Sequence, residues 1–299
     1  MKSDSSPWRK IVLRAVLFVL GGVLGWIVDL AGRQDTIFRP SRLTDAAGKI
    51  GPEVNLLTWN ILRGKDERWM GAPWSLRQPR FAEALRDRDF DVVCLQEALP
   101  DQIRFFESLF VDYQRVSRSR DGGEDDEHCP IFVKKSRFEV ADSGTFWFSP
   151  TPDVPGLGWG ERVPRICTWA ELSDRQTGFR FRIYNVHLHL HPVGQIRAAK
   201  LLAERIEVVQ VPVIVAGDFN SPATWRPVRI LRRTGLREAD ISGALTYIMR
   251  DKSVRRLDHI LIDNSWDVLD GEIVKLATPG VAPSDHLGLT ARLVNVAAE

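Results

Sequence analysis

The sequence predicts a layered α/β or α+β domain, and three observations carry that expectation. Beyond residue 53, short apolar runs closed by polar or Gly/Pro punctuation recur along the chain, as strands do. Between them lie segments with apolar residues at three- and four-residue spacing, the signature of a helix that buries one face. The composition is that of a folded protein: 299 residues with 44% apolar and 27% charged side chains exclude disorder and collagen-like repetition. The length suits one large domain or two small ones.

The N-terminal region stands apart. From Ile11 to Val28 the only charge is Arg14, and Ala15 to Val28 is wholly uncharged. As a helix that inner run would reach about 21 Å, short of the ~30 Å of bilayer hydrocarbon, unless Arg14 snorkels to the headgroups and lengthens it. Residues 1–28 are therefore expected to form a basic segment and a single-pass transmembrane helix. A cleaved signal peptide with Lys2, Arg9 and Lys10 as its basic region is the rival, and a buried core helix a third reading. The cut before Gly32 would put Asp29 three residues upstream, which a small-x-small site does not want. Basic residues before the span place the N-terminus in the cytoplasm and the rest of the chain on the extracytoplasmic side, although Arg33, Arg39 and Arg42 oppose that bias. Residues 29–52 read as a tether, and 53–299 as the folded domain.

Within that domain, strands are expected at Val54 to Trp59, Asp91 to Leu95, Phe179 to Leu188, Val211 to Ala216 and Leu257 to Ile262. Helices are expected at Phe81 to Arg88 and Ile196 to Val208. There is no internal repeat, and the acidic run Glu124 to Glu127 reads as a solvated loop. With 41 Lys and Arg against 39 Asp and Glu, the net charge of +2 gives no global attraction to nucleic acid or anionic membrane. Cys94, Cys129 and Cys167 are too few and too scattered for a disulfide framework, and read as free thiols.

Chemistry gathers where the strands end. Thr58-Trp59-Asn60, Gln96-Glu97, Asn185-Val186-His187-Leu188, Gly217-Asp218-Phe219-Asn220, Leu257-Asp258-His259 and Ser284-Asp285-His286 each deliver carboxylate, amide or imidazole groups to a strand terminus. Layered α/β proteins build sites on such rims. In the fourth of these, glycine allows a tight turn while a carboxylate and an amide two residues apart project together.

Taken in this order, the signatures resemble the endonuclease/exonuclease/phosphatase superfamily over about Val54 to Val294. Gly-Asp-Phe-Asn and Ser-Asp-His are the most specific elements. The stretches at Glu127–Phe132, Ser143–Trp147 and Pro164–Trp169 resemble a bacterial branch of it. The resemblance implies a four-layer α/β sandwich with two packed mixed β-sheets and the site at one edge. It implies a hydrolase of phosphate esters, a nuclease-like phosphodiesterase above all, in which an activated water attacks. Asn60, Glu97 and Asp285 would hold Mg²⁺ or Mn²⁺, a donor set that suits a hard cation better than zinc. Asp218 would orient or deprotonate the water, and Asn220 would bond a phosphoryl oxygen. His286 would be the essential imidazole, supported by Asp258, with His187 a second phosphate-facing histidine and Arg165 a phosphate contact. Nucleic acid, or a phospholipid or phosphoinositide headgroup, would be the substrate.

Relatives of this branch often carry Asp two residues after the strand histidine, where this chain reads His187-Leu188-His189-Leu190-His191. Alternate residues of a strand share a face, so three imidazoles in line would suit a zinc hydrolase, whereas the main reading keeps His187 in the site and sets His189 and His191 at its mouth, or in a solvated loop. A catalytically silent binding module is a further alternative. His259, where Tyr is common, reads as a packing substitution. Arg226, Arg229, Arg233 and Arg237 would form a basic stripe on a helix, for phosphates or simply for solvent. Phe146, Trp147, Phe148 and Trp159 would rim the cleft, touch a bilayer or pack inside.

Overall fold

The computed structural model describes residues 51–64, 72–239, 241, 245–248, 254–274 and 279–296. The expected membrane span and nearly all of the tether lie outside these residues. Among them no helix is long and apolar enough to cross a membrane.

In chain order the elements begin with β1 (Glu53–Asn60), α1 (Trp74–Leu85), β2 (Val92–Gln96), α2 (Pro100–Leu109), β3 (Tyr113–Val116), β4 (Ile131–Lys134) and β5 (Phe138–Trp147). They continue with β6 (Ile166–Asp174), β7 (Arg180–His187), α3 (Pro192–Glu207), β8 (Val213–Asp218), α4 (Arg226–Arg232) and β9 (Arg237–Glu238). The last are β10 (Tyr247–Ile248), β11 (Val254–Arg255), β12 (Asp258–Ile262), β13 (Trp266–Ile273) and β14 (Leu289–Asn295). One six-stranded sheet has the order β13-β14-β1-β2-β4-β3 and the other β5-β6-β7-β8-β12-β9, with β10 and β11 as a separate ribbon. Both are mixed, because β1 runs parallel to β2 and β7 parallel to β8 while the other pairs are antiparallel.

Side-chain parity explains the four layers. On β1, Val54 and Leu56 point to the inter-sheet core, and Leu57 and Trp59 to the outer face. Likewise Val92 and Cys94 face inward on β2, Ile183 on β7, Ile214 and Ala216 on β8, and Ile260 and Ile262 on β12. The outer face of the first sheet is covered by Phe81 and Ala84 of α1 and by Ile103 and Phe106 of α2. Ala199, Leu202 and Ile206 of α3, with Val228 and Leu231 of α4, cover the second. The five expected strands fall on β1, β2, β7, β8 and β12. Helix α1 starts seven residues before the expected Phe81 and runs through Pro79, which removes one main-chain donor without ending it.

Candidate active site

The inward register of five strands turns from apolar to polar at one end of the sandwich, and this change of residue type builds the site. After Val54 and Leu56 come Thr58 and Asn60; after Cys94, Gln96; after Ile183, Asn185 and His187; after Ala216, Asp218. Antiparallel β12 brings its first residue, Asp258, opposite Asp218, and His187 pairs with Asp218 from the other side. Directly above the apolar core lies a buried amide layer. Gln96 Nε2 donates to Thr58 Oγ1 at 3.1 Å and to Asn185 Oδ1 at 2.7 Å. Asn185 Nδ2 donates to the carbonyls of Leu95 at 2.8 Å and Pro130 at 2.9 Å. These bonds satisfy buried polar groups and tie the two sheets together beneath the reactive side chains.

Above this layer Asn60 Nδ2 donates to Glu97 Oε1 and to Asp218 Oδ2, both at 3.0 Å. Its Oδ1 accepts the Leu62 N–H at 3.1 Å, which fixes the amide's orientation. Glu97 sits at φ +62°, uncommon for a residue with a Cβ, and takes the Arg63 N–H on Oε2 at 3.2 Å. Gly217, at φ +141°, has room for no side chain: a Cβ would lie 2.1 Å from the Val186 carbonyl oxygen. The Asn220 N–H donates to Asp218 Oδ1 at 2.8 Å, and Asn220 Nδ2 donates to the Leu188 carbonyl at 3.0 Å.

His286 Nδ1 donates to Asp258 Oδ2 at 2.8 Å, and its Nε2 lies 3.7 Å from Asp218 Oδ2. Burial opposes charge on this ring, yet Asp258 and Asp218 outweigh it and push His286 up to about 10, so it is an imidazolium at neutral pH. Asp218 is raised to about 6 by burial, against the pull of His286. Across the cleft His187 Nε2 is 3.5 Å from Asp218 Oδ2 and 3.9 Å from Glu97 Oε1. Arg165 Nη1 reaches the same nitrogen at 2.7 Å. Burial and the Arg165 charge hold His187 well below the usual imidazole range, so this ring is neutral. Two histidines around one carboxylate thus carry different charge.

The loop carrying Ser284, Asp285 and His286 is locked to β1. Ser284 Oγ donates to the Asn60 carbonyl at 2.7 Å, and Trp59 Nε1 donates to the His286 carbonyl at 2.9 Å. Arg77, buried on α1, completes the lock. Its Nη1 donates to the carbonyls of Ile61 and Pro283, each at 2.9 Å, and its Nη2 to Leu62 at 3.0 Å and Arg63 at 3.2 Å. Sequence reasoning gave Arg77 no role, since an arginine on a helix face carries no signal until its carbonyl partners fold around it.

Glu97 and Asp285 are oxygen donors of the kind a hard divalent cation takes, whereas Asn60 turns its Nδ2 toward Glu97 and Asp218 while its Oδ1 accepts the Leu62 N–H, so that it would hold a cation only with its amide turned over. Burial pushes all three thiols up, away from ligand chemistry. Asp218, Asp258 and His286 also converge, with ligand atoms within 4.8 Å of one another. With Nδ1 bonded to Asp258 and Nε2 turned toward Asp218, the ring is placed to carry a proton between two carboxylates.

Several sequence expectations change on the structure. Strand β7 ends at His187, so His189 does not continue its face. It is fully buried in a slot where a Cβ on Gly158 would lie 2.0 Å from its Nε2 and one on Gly194 2.8 Å from its Cγ, with Phe148 and Trp159 nearby. His191 precedes α3 as its N-cap, and no three-imidazole cluster exists among the described residues. Of the readings open for Phe146, Trp147 and Phe148, packing inside is the one the structure bears out. Arg226, Arg229 and Arg233 lie along or just past α4, but Arg237 leaves it for β9 and pairs with Asp267. His259 does more than pack: its Nδ1 meets Glu238 Oε1 at 2.6 Å and its Nε2 the Ser221 carbonyl at 2.8 Å. Glu127, expected in a solvated loop, is 5% exposed.

A four-layer sandwich with this rim defines a class. The Endonuclease/Exonuclease/phosphatase family model matches residues 57–286, and the chain belongs to that family. A family member from Bacteroides thetaiotaomicron superposes with a TM-score of 0.73 at 27% identity, covering 83% of this chain and 100% of that one. A mannosyl-6-phosphatase from the same organism gives 0.71 at 27% identity, covering 80% and 99%. The CCR4-Not complex 3'-5'-exoribonuclease subunit Ccr4 of Phaeosphaeria nodorum is 30% identical over 199 residues, 58% of this chain but only 32% of that protein.

Proposed function

We propose that the protein hydrolyses phosphate esters with the help of a divalent cation, Mg²⁺ or Mn²⁺, by attack of an activated water. The observation that carries this reading is the convergence on Asp218 Oδ2 of Asn60 at 3.0 Å, neutral His187 at 3.5 Å and charged His286 at 3.7 Å. Asp218, raised to about 6, is a carboxylate at neutral pH with enough basicity to accept a proton from a water held between it and a phosphate. The His286 imidazolium, kept charged by Asp258, sets positive charge beside the negative charge that builds on the phosphoryl oxygens. Arg165 adds a guanidinium on the His187 side, and the Asn220 N–H donates to Asp218 Oδ1. Asn60, Glu97 and Asp285 would hold the cation, which would supply further neutralisation of the phosphate.

The named relatives span an exoribonuclease and a sugar phosphatase, so kinship supports the ester and leaves the alcohol open. We take residues 11–28 as a membrane anchor and the catalytic domain as extracytoplasmic, on the sequence pattern alone. The test of the reading is turnover of bis(p-nitrophenyl) phosphate and p-nitrophenyl phosphate with Mg²⁺, with Mn²⁺ and with chelator, in the wild type and Glu97→Gln. Activity should require the cation, and Glu97→Gln should abolish it while leaving thermal unfolding in place. Unchanged turnover and unchanged cation dependence in that variant would sink the assignment.

A further inference from the structure

The Asp258–His286 pair joins the two sheets, since Asp258 opens β12 in the second and His286 lies just before β14 in the first. Their bond of 2.8 Å fixes one atom of the imidazole, Nδ1. A ring held at one atom can still swing its Nε2 away from Asp218. One short segment, Thr246 and Tyr247, touches both partners. Thr246 is fully buried, and its Oγ1 accepts the main-chain N–H of Leu257 at 3.0 Å and of Asp258 at 3.1 Å. A hydroxyl oxygen has two acceptor positions, and here both are filled by the residues that lead into β12. On the side of the other partner, the Thr246 carbonyl accepts the Leu287 N–H at 2.7 Å.

Tyr247 meets the imidazole itself. It pairs with His286 in an antiparallel bridge, flanked by the Leu287 bond to Thr246 and by the Ile248 N–H donating to the Asp285 carbonyl at 3.1 Å. Bonds that flank a pair in this way make it the non-hydrogen-bonded kind, in which the two side chains share a face and stand closest. The Tyr247 and His286 ring centroids accordingly lie 4.6 Å apart, at an interplanar angle of 42°. On its other edge Tyr247 pairs with Arg255 of β11, and the Thr246 N–H donates to the Arg255 carbonyl at 2.9 Å. The Tyr247 backbone is thus held between β11 and residues 285–287, and strand register brings its ring against His286.

Resting on the phosphoesterase reading above, we infer that Thr246 and Tyr247 are positioning residues for the Asp258–His286 pair. Thr246 sets where Asp258 stands. Tyr247 sets the plane of the His286 ring, and so the direction of Nε2 toward Asp218, 3.7 Å away. Neither residue acts on the phosphate directly. Their work is needed because Asp258 and His286 are 28 residues apart and arrive from different sheets, so no single element fixes one against the other. A displacement of about 1 Å at such a group can cost on the order of 10²-fold in rate.

The experiment measures kcat and KM of the full chain for bis(p-nitrophenyl) phosphate and p-nitrophenyl phosphate, with Mg²⁺ and with Mn²⁺. Tyr247→Leu should lower kcat by about 10–100-fold and leave KM within about twofold, and Tyr247→Phe, which keeps the ring, should recover most of that loss. Thr246→Val leaves two buried N–H groups without their acceptor and should lower kcat as well, with recovery in Thr246→Ser. In the His286→Ala background Tyr247→Leu should change the residual rate by less than about twofold, because a residue that acts through another then has nothing to position. Carbon-13 labelling of the histidine rings gives a readout free of activity. The His286 signal, identified by its loss in His286→Ala, should carry the ring-current shift of Tyr247 in the wild type and in Tyr247→Phe, and lose it in Tyr247→Leu. A fall in rate for Tyr247→Leu that is as large without His286 as with it, a raised KM at unchanged kcat, or a His286 signal that does not move in Tyr247→Leu would each overturn the positioning role. Absence of wild-type turnover with every ester and cation would overturn the phosphoesterase reading and the positioning role with it, an outcome told apart from the others because the ring signal still moves.

Discussion

The His286 ring is charged only because Asp258 and Asp218 together overcome its burial, so its properties belong to a group of three. Asp258 Oδ2 is bonded to the ring at 2.8 Å while its Oδ1 has no partner among the described residues, which leaves the carboxylate committed to this one task. His286→Ala and Asp258→Asn should each cost on the order of 10²–10⁴ in rate. The double variant should cost little more than the worse single, because residues that act as one unit are not additive. Bound metal, measured in the same preparations, separates this from the alternative in which the three groups hold the ion. Content unchanged in His286→Ala supports proton handling, and loss of metal there would make the imidazole a ligand.

At the scale of elements, legibility in the sequence follows burial. Strands β2, β8 and β12 are buried at every residue, so they read as continuous apolar runs bounded by polar signatures. Strand β5 exposes Glu139, Ala141, Asp142 and Ser143 and only half-buries Val140, Gly144 and Thr145, and nothing in that pattern separates it from a loop. The rim residues were readable because they end strands. Glu127 was not, since three acidic neighbours mask it and its partners Arg63 and Arg120 come from separate loops. His189, expected at the mouth of the site or in a solvated loop, is instead fully buried, and strand parity could not place it because β7 stops two residues earlier. Its slot between Gly158 and Gly194 has a thermodynamic consequence. Burial, with help from Arg165, lowers His189 to about 4, so the unfolded chain binds its proton near pH 6.5 and the folded chain does not. This contribution to stability is fully present above pH 6.5 and is lost as pH falls toward 4. Between pH 6.5 and 5 the wild type should lose about 2 kcal/mol that His189→Leu does not lose, at 1.36 kcal/mol per pH unit. Urea unfolding of both proteins at pH 7 and pH 5 measures the difference, and parallel losses would exclude His189 as its source.

The architecture of the whole molecule bears on which phosphate ester can reach the rim. Strand β1 enters at Glu53, paired with Val294, and delivers Asn60 to the site at its other end. Seven steps of about 3.3 Å separate the two along this strand, so the chain joins the sandwich roughly 23 Å from the cleft, at its opposite end. If residues 11–28 hold the protein in a bilayer, the end of the sandwich tied toward that surface is the one where β1 begins, and not the catalytic rim. Residues 29–52, between that expected anchor and the sandwich, lie almost wholly outside the described residues. This geometry suits a substrate dissolved in the compartment better than a phospholipid headgroup. Removing residues 33–42 from the full chain should then leave turnover of a soluble phosphate ester within about twofold, and neither form should hydrolyse phosphoinositide or sphingomyelin in vesicles. Vesicle hydrolysis by the full chain that falls steeply when the tether is shortened would reverse the argument, because only a substrate in the membrane makes the length of that segment matter.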